Sequence, residues 1–234
     1  MSTPEPSGAS QKRARLAGLF YFLTIAAGLF AEIGARGAVI VRGDPDATAA
    51  KVAANLTLYR MGEASDVAML ICYLVVTVLL YGLFCEGGRQ CSAIAAVFSI
   101  TGIAILGATG IFHLAPIALL ESGLPQVERA MLIALSLKLH GDLYNVSLIF
   151  FGMYCFLIGL VAMRSGRVPR LVAALMILGG ACHLVTKMML ITAPEFAHAI
   201  PRLFNVMPLI GEAALAGWLI IFGVYQKENE PKTA

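Results

Sequence analysis

The chain has 234 residues, of which 59% are hydrophobic and 13% are charged, and its mean hydropathy is +0.83. A soluble domain usually carries about 25% charged residues, so this chain has too few to cover a soluble fold of its size. The net charge of +3 is spread over several loops and forms no basic face of the kind that binds nucleic acid. Composition therefore indicates an integral membrane protein with the lipid bilayer as its main partner and no nucleic-acid partner.

Apolar segments recur along the chain at the length that crosses a bilayer, about 20 residues for about 30 Å of hydrocarbon. They predict an all-α bundle of about six transmembrane helices. The predicted spans cover residues 16–35, 66–84, 92–114, 143–163, 171–191 and 203–225. The first apolar run is longer than the core of a signal peptide and no clean cleavage site follows it, so we interpret it as an uncleaved span.

The spans define one transmembrane domain, residues 12–226. We expect residues 1–11, which are rich in Ser, Pro and Gly, to form a disordered cytoplasmic tail, and residues 227–234 to form a second cytoplasmic tail. Two longer connections, 36–62 and 121–139, have helical spacing with mixed polarity and predict interfacial helices on the outer side. Asp46 is the predicted N-cap of the first.

Lys and Arg residues set the expected orientation. Short segments on the side of both termini carry nine of them, whereas the other side has seven, diluted over longer loops with acidic neighbours. The basic side is therefore predicted to be cytoplasmic, which places both termini in the cytoplasm.

Ionisable residues occur within the predicted spans, where each one costs on the order of 3 kcal/mol or more unless it has a partner or a role. From the helix rise, His183 and Glu212 lie about 18 Å from the cytoplasmic end of their spans, and Glu32 and Lys187 about 24 Å. Asp66 comes at about 27 Å, and Glu63 falls near the outer boundary, where we interpret it as interfacial. The polar groups thus concentrate in the outer half of the membrane.

Two interpretations of this polar layer remain open. In one, its charges are ion pairs that only hold helices together, with Glu212 or Glu32 as the partner of Lys187. In the other, they line a pocket open to the outside that binds a small ligand. The candidate ligand-binding residues are Glu32, Arg60, Asp66, His183, Lys187 and Glu212.

Three histidines on different spans, His113, His140 and His183, invite a metal or haem hypothesis. They form no HxxxH or ExxH pair within one helix, so nothing local in the sequence brings them to one ion. We predict no cofactor and no catalytic residue, and these histidines stay as alternative metal ligands.

Several phrases resemble one family of bacterial membrane proteins, described as domain of unknown function 4386. The phrases are Tyr59-Arg60-Met61-Gly62-Glu63-Ala64-Ser65-Asp66, Phe150-Phe151-Gly152, Arg164-Ser165-Gly166-Arg167-Val168-Pro169-Arg170 and Gly211-Glu212 with Trp218-Leu219. The resemblance runs from about residue 13 to 226 and implies a multi-span protein of the bacterial inner membrane. It implies no established activity, but it favours Arg60, Asp66 and Glu212 as positions of interest.

Three classes of function remain. The leading hypothesis is an outward-facing polar pocket within the membrane that binds, senses or transports a small ligand or protons. The second is a membrane-embedded enzyme or redox protein that uses histidines with a metal, haem or quinone. The third is a structural or assembly protein whose buried charges only pair helices.

Overall fold

The computed structural model describes residues 8–197 and 200–225, and in this part of the chain it contains helices and no strand. α1 (Gly8–Leu29) runs into a π-helical segment (Phe30–Arg36) and then α2 (Gly37–Val39). The remaining helices are α3 (Pro45–Ala54), α4 (Leu56–Phe84), α5 (Arg89–Leu120), α6 (Gln126–Ser165), α7 (Arg170–Thr192), α8 (Pro194–Ala197) and α9 (Arg202–Ile221). A 3₁₀ turn, Cys85–Gly87, follows α4.

Six helical segments are long and apolar enough to cross a membrane, as the sequence predicts. They are Gly8–Val39, Leu56–Gly87, Arg89–Leu120, Gln126–Ser165, Arg170–Thr192 and Arg202–Ile221. The second begins at Leu56, well before the predicted start at residue 66, and the first extends beyond Ala35 through the π-helical segment. The helices are longer than the predicted spans because the polar residues at their ends continue the helical pattern of backbone hydrogen bonds.

The distribution of side chains is that of a membrane protein. Large apolar residues lie exposed on the helices, for example Ile111, which is 72% exposed, and Leu171, which is 71% exposed. Polar residues such as Ser99 and Ser147 are fully buried. Apolar surface of this extent is stable against lipid tails and not against water, so the chain is a multi-pass membrane protein.

The chain divides into two compact units. Unit 1 comprises residues 8–22, Tyr73–Ile100, 148–197 and 200–225, and unit 2 comprises Leu23–Cys72 and Thr101–Ser147. α1, α4, α5 and α6 contribute residues to both.

Glycines allow close helix packing within unit 1. A Cβ at Gly180 of α7 would lie 2.6 Å from the carbonyl oxygen of Gly152 of α6, and one at Gly211 of α9 would lie 2.6 Å from that of Leu175. Backbones at such distances leave no room for a side chain, so these helices are in direct backbone contact. Small residues have this role in membrane bundles, where no hydrophobic effect drives helices together.

Both ends of the described chain meet at one end of unit 1. The Gln11 side-chain amide donates to the Val224 carbonyl at 3.0 Å and accepts from the Val224 N–H at 3.2 Å. Arg167, in the connection after α6, forms an ion pair with Glu86 at 2.7 Å, and its carbonyl accepts from the Tyr225 N–H. The start of α1, the segment after α9 and two connections therefore share one end, as an even number of spans requires.

Unit 2 has its own core of Val39, Val52, Tyr59, Ile133 and Leu137. It joins α3 to the first half of α6 through apolar side chains, so α3 is held by packing as well as by any contact with the membrane surface.

The two long connections differ from their prediction in detail. The first does contain a helix, α3, but its N-cap is Asp44, whose Oδ1 accepts from the Ala47 N–H at 2.9 Å. Asp46 lies inside the helix, since Pro45 occupies the first helical position. In the second, the amphipathic stretch is the first part of the 40-residue helix α6 and not a separate helix. Nothing breaks the backbone between Lys138 and Leu143, so the two predicted elements are one.

The predicted tails fall largely outside the described residues. α1 already begins at Gly8, earlier than the end of the tail expected over residues 1–11. Residues 1–7 and the tail 227–234 lie outside the part of the chain that the structure describes.

Candidate functional site

The π-helical segment carries two charged residues of unit 2. It is seven residues long, and the Gly37 N–H donates to the carbonyl of Glu32, five residues earlier, which is the π-helical pattern. π-Helical turns are rare and occur often at functional sites, because they displace side chains from the positions that a regular helix would give them. Glu32 and Arg36 both lie in this segment.

Arg36 is held between two carboxylates. Its Nε donates to Glu32 Oε2 at 2.8 Å, its Nη1 donates to Asp66 Oδ2, and its Nη2 to Asp66 Oδ1 at 3.4 Å. The Tyr144 ring lies below the guanidinium, with its centroid 5.8 Å from Cζ, a cation–π distance. The Arg36 and Asp66 side chains are 4% and 9% exposed, whereas that of Glu32 is 59% exposed. The result is a buried ion pair with one exposed carboxylate, that of Glu32.

Two histidines of unit 2 lie side by side. The rings of His113 and His140 are 5.4 Å apart between centroids, and Tyr59 stacks on His113 at 4.2 Å. The Tyr59 hydroxyl donates to the His113 carbonyl. His113 is fully buried and His140 is 4% exposed.

Their hydrogen bonds assign the tautomers. His113 Nε2 lies 3.2 Å from the Tyr59 carbonyl oxygen, and His140 Nδ1 lies 3.2 Å from that of Thr109. A carbonyl oxygen only accepts, so these two nitrogens carry hydrogen. The remaining atoms, His113 Nδ1 and His140 Nε2, are buried without a hydrogen-bond partner among the described residues. In the neutral ring each of these two atoms carries a lone pair.

Glu63 is a third carboxylate in this part of unit 2. Its side chain lies against Gly110, where a Cβ would collide with Oε1, and its Oε2 is buried with no hydrogen-bond partner in the described part of the chain. It interacts electrostatically with Asp66 and Arg36. Glu63 therefore packs between α4 and α5, and its position near the outer boundary of the membrane stays a prediction.

We call Glu32, Arg36, Glu63, Asp66, His113 and His140 the ionisable cluster. His140 interacts electrostatically with Arg36, Asp66 and Glu32, which ties the histidines to the ion pair. The cluster holds three carboxyl groups for one guanidinium, and two imidazoles with unused nitrogens. It is a group of acids and bases within transmembrane helices, and it can hold more than one distribution of protons.

Unit 1 contains a different polar group around Glu212. Glu212 Oε1 is 3.3 Å from the Tyr73 hydroxyl and 3.2 Å from the Cys155 thiol, and both donate to it. Tyr21 and Tyr154 are fully buried nearby and interact electrostatically with Glu212. Their rings and that of Tyr73 meet edge to face, at 5.8 Å between centroids. Pro208 does not end α9, which continues past Glu212.

The six predicted ligand-binding residues are divided between the two units, three in each. Glu32, Arg60 and Asp66 belong to unit 2, where Arg60 is exposed, and His183, Lys187 and Glu212 belong to unit 1. His183 packs against Gly152 of α6 and interacts electrostatically with Lys187. Pairing of Lys187 with Glu32 or Glu212 stays a prediction; the contacts described above for those two carboxylates are with Arg36 and with Tyr73 and Cys155.

Sequence reasoning missed Arg36 and the tyrosines. The apolar run ends at Ala35, so the sequence places Arg36 in the outer connection. Its signal is present nonetheless, since Glu32 and Arg36 are four residues apart in a helical run. No sequence signal joins Tyr59 to His113, because their contact depends on how α4 and α5 pack.

The positions of the three histidines agree only in part with the metal hypothesis. His113 and His140 come together, as that hypothesis requires, whereas His183 is part of unit 1. Within residues 8–197 and 200–225, no three His, Cys, Asp or Glu side chains lie close enough to hold one metal ion.

Six spanning helices and a buried ionisable cluster define a multi-pass integral membrane protein with polar groups inside its bundle. The family model described as domain of unknown function (DUF4386) matches residues 16–223, most of the chain. The chain therefore belongs to this family. No curated protein and no solved structure matched the chain.

Proposed function

We propose that this membrane protein binds and releases protons at the ionisable cluster of unit 2, and thereby senses or moves protons. The observation that carries the proposal is the charge balance of the cluster. Two carboxylates contact one guanidinium and a third, Glu63, interacts with it electrostatically, and an uncompensated charge among transmembrane helices is costly. A proton is the smallest ligand that restores the balance, and Glu63, His113 and His140 each have a buried atom free to hold it.

The arrangement of the cluster also supports an order of proton transfer as part of the proposal. Glu32 is the exposed carboxylate, so it is the first acceptor for a proton from outside the bundle. Arg36 joins it to Asp66, and the electrostatic neighbours of Asp66 include Glu63 and His140. The π-helical segment carries Glu32 and Arg36. In the proposal, its backbone can return to a regular α-helix when the ion pairs of Arg36 break.

Orientation is part of the proposal. Basic residues concentrate at the end of unit 1 where the start of α1 meets the segment after α9, and this end is cytoplasmic by the positive-inside rule. The connections that carry α3 and the start of α6 then lie outside. The location that we propose is the bacterial inner membrane, with both termini in the cytoplasm, as the family resemblance implies.

Proton uptake by the purified protein in lipid nanodiscs tests the proposal. After a small acid step in weakly buffered solution, an indicator dye reports the protons bound per protein. We expect Glu63→Gln and His140→Gln each to lower the uptake, since each removes a group that can hold the proton. Glu128→Gln is the matched control, because Glu128 is an exposed carboxylate of the same unit.

Two results would overturn the proposal. Unchanged uptake in Glu63→Gln, His113→Gln and His140→Gln would show that the cluster holds no exchangeable proton. Stability that depends on Na⁺ or K⁺ in the unmodified protein and not in Glu63→Gln would assign the site to a metal cation instead.

Cofactor binding at the histidines is the second candidate function. It is favoured by the 5.4 Å separation of the His113 and His140 rings and by their unused nitrogens. Metal analysis and absorbance near the haem band of the purified protein, compared with His113→Gln, test it. A bound group that is lost in the variant supports this candidate, and a signal equal in both contradicts it.

A further inference from the structure

A cleft of about 400 Å³ opens in unit 1 where α5 begins and α6 ends. Its polar part is formed by Arg89, Gln90 and Arg164, and its wall includes Cys91, Ile94 and Leu157. None of these residues takes part in the ionisable cluster. The cleft lies close to Glu86 and Arg167, which belong to the end of unit 1 where both ends of the described chain meet.

The two arginines at the cleft carry charge that no ion pair within the described part of the chain neutralises. Arg89 and Arg164 are exposed, and neither is in an ion pair with another described residue. Glu86, the acidic residue of the same connection, is already paired with Arg167. A guanidinium binds phosphate with two parallel hydrogen bonds, so two of them at one cleft favour a phosphate ligand.

The rest of the cleft is apolar and follows the helices into their spanning segments. Ile94 is 45% exposed and lies just over one turn beyond Arg89 in α5. Leu157 lies two turns before Arg164 in α6. A basic mouth that continues into an apolar wall matches a molecule with an anionic head and an apolar tail.

We propose that this cleft binds an anionic phospholipid from the leaflet on the side of the termini. Arg89 and Arg164 hold its phosphate, Gln90 donates to a headgroup oxygen, and Ile94 and Leu157 contact the first part of an acyl chain. Anionic lipids are attracted to basic segments at the cytoplasmic surface, and the site adds a shaped apolar contact to that attraction. The proposal is independent of proton binding in unit 2.

Native mass spectrometry and thermal unfolding of the full chain in a neutral detergent test the site. The probes are phosphatidylglycerol, phosphatidylcholine and inorganic phosphate. We expect phosphatidylglycerol to bind and to raise the unfolding temperature, with at least tenfold weaker binding in R89Q/R164Q. R170Q is the control, since Arg170 is an exposed arginine at the start of α7 that does not line the cleft.

Three results would overturn the lipid assignment. Equal phosphatidylglycerol binding by R89Q/R164Q and the unmodified protein would remove the arginines from the site. Equal binding of phosphatidylcholine would show that anionic charge is not recognised. Equal protection by inorganic phosphate at the same concentration would assign the cleft to a soluble anion.

A labelling experiment on the unmodified protein is informative even if the double variant does not fold. Cys91 lines the cleft, whereas Cys85 lies on the preceding turn outside it, and both are free thiols of intermediate exposure. Phosphatidylglycerol should slow alkylation of Cys91 several-fold relative to Cys85, as measured by peptide mass spectrometry. Equal slowing of both thiols, or of neither, contradicts a lipid seated in the cleft.

Discussion

Arg36 compensates the charge of Asp66 inside the bundle. Both side chains are almost fully buried, and Arg36 is the ion-pair partner of Asp66 among the described residues. Removing one partner of such a pair leaves the other charge unpaired, which costs more than the net contribution of the pair itself. The pair Lys138–Asp142 of α6 has the same spacing as Glu32–Arg36, but its side chains are 70% and 61% exposed.

We expect Arg36→Met to lower the free energy of unfolding by about 3–5 kcal/mol, because Asp66 is left buried and charged. The double variant Arg36→Met/Asp66→Asn should recover at least half of the loss. Lys138→Met, which breaks the exposed pair, should change stability by less than about 1 kcal/mol. Denaturant unfolding in detergent measures all three, and equal losses from Arg36→Met and Lys138→Met would contradict the burial argument.

Helices in unit 1 pack through glycines that differ in what surrounds them. Gly180 faces the backbone of Gly152 and Phe156 in α6, whereas a Cβ added at Gly217 of α9 would meet no described atom within 4 Å. Of these two glycines, only Gly180 lies against a neighbouring backbone in the described part of the chain. Gly180 lies on the side of α7 that packs against α6, whereas Gly217 lies on a side of α9 where a Cβ would contact no described atom.

Gly180→Ala should destabilise the protein by about 1–3 kcal/mol, since the added methyl group must push two backbones apart. Gly217→Ala is the matched control and should leave stability within about 1 kcal/mol of the unmodified protein. Thermal unfolding in detergent distinguishes them. If the two alanine variants unfold at the same temperature, the close approach of α6 and α7 is not a stabilising feature.

For the whole molecule, the number of spans and the contacts between the chain ends constrain the topology. Gln11 and Val224 are hydrogen-bonded to each other, so the start of α1 and the segment after α9 are on the same side of the membrane. In the orientation that we propose from the positive-inside rule, this side is the cytoplasm.

A fluorescent protein fused to the C-terminus should therefore fold and fluoresce in the cytoplasm. A phosphatase inserted at Gly123, in the connection before α6, should be active only if that connection is outside. We expect both reporters to be active when each is tested in its own fusion. An inactive phosphatase with a fluorescent C-terminus would place that connection in the cytoplasm, and inactivity of both reporters would indicate the inverted orientation.

The membrane class and the six spans could be predicted from the residues alone, because the length and hydropathy of an apolar segment are local properties of the chain. The same reasoning identified Glu32, Asp66 and Glu212 as residues that need a partner. It did not supply the partners: Asp66 pairs with Arg36, 30 residues earlier, and Glu212 with Tyr73, 139 residues earlier. Such contacts depend on the rotation and packing of the helices, which are properties of the folded bundle and not of any one segment. The same packing makes neighbours of His113 and His140, which are 27 positions apart in the chain and each have one ring nitrogen without a hydrogen-bond partner among the described residues.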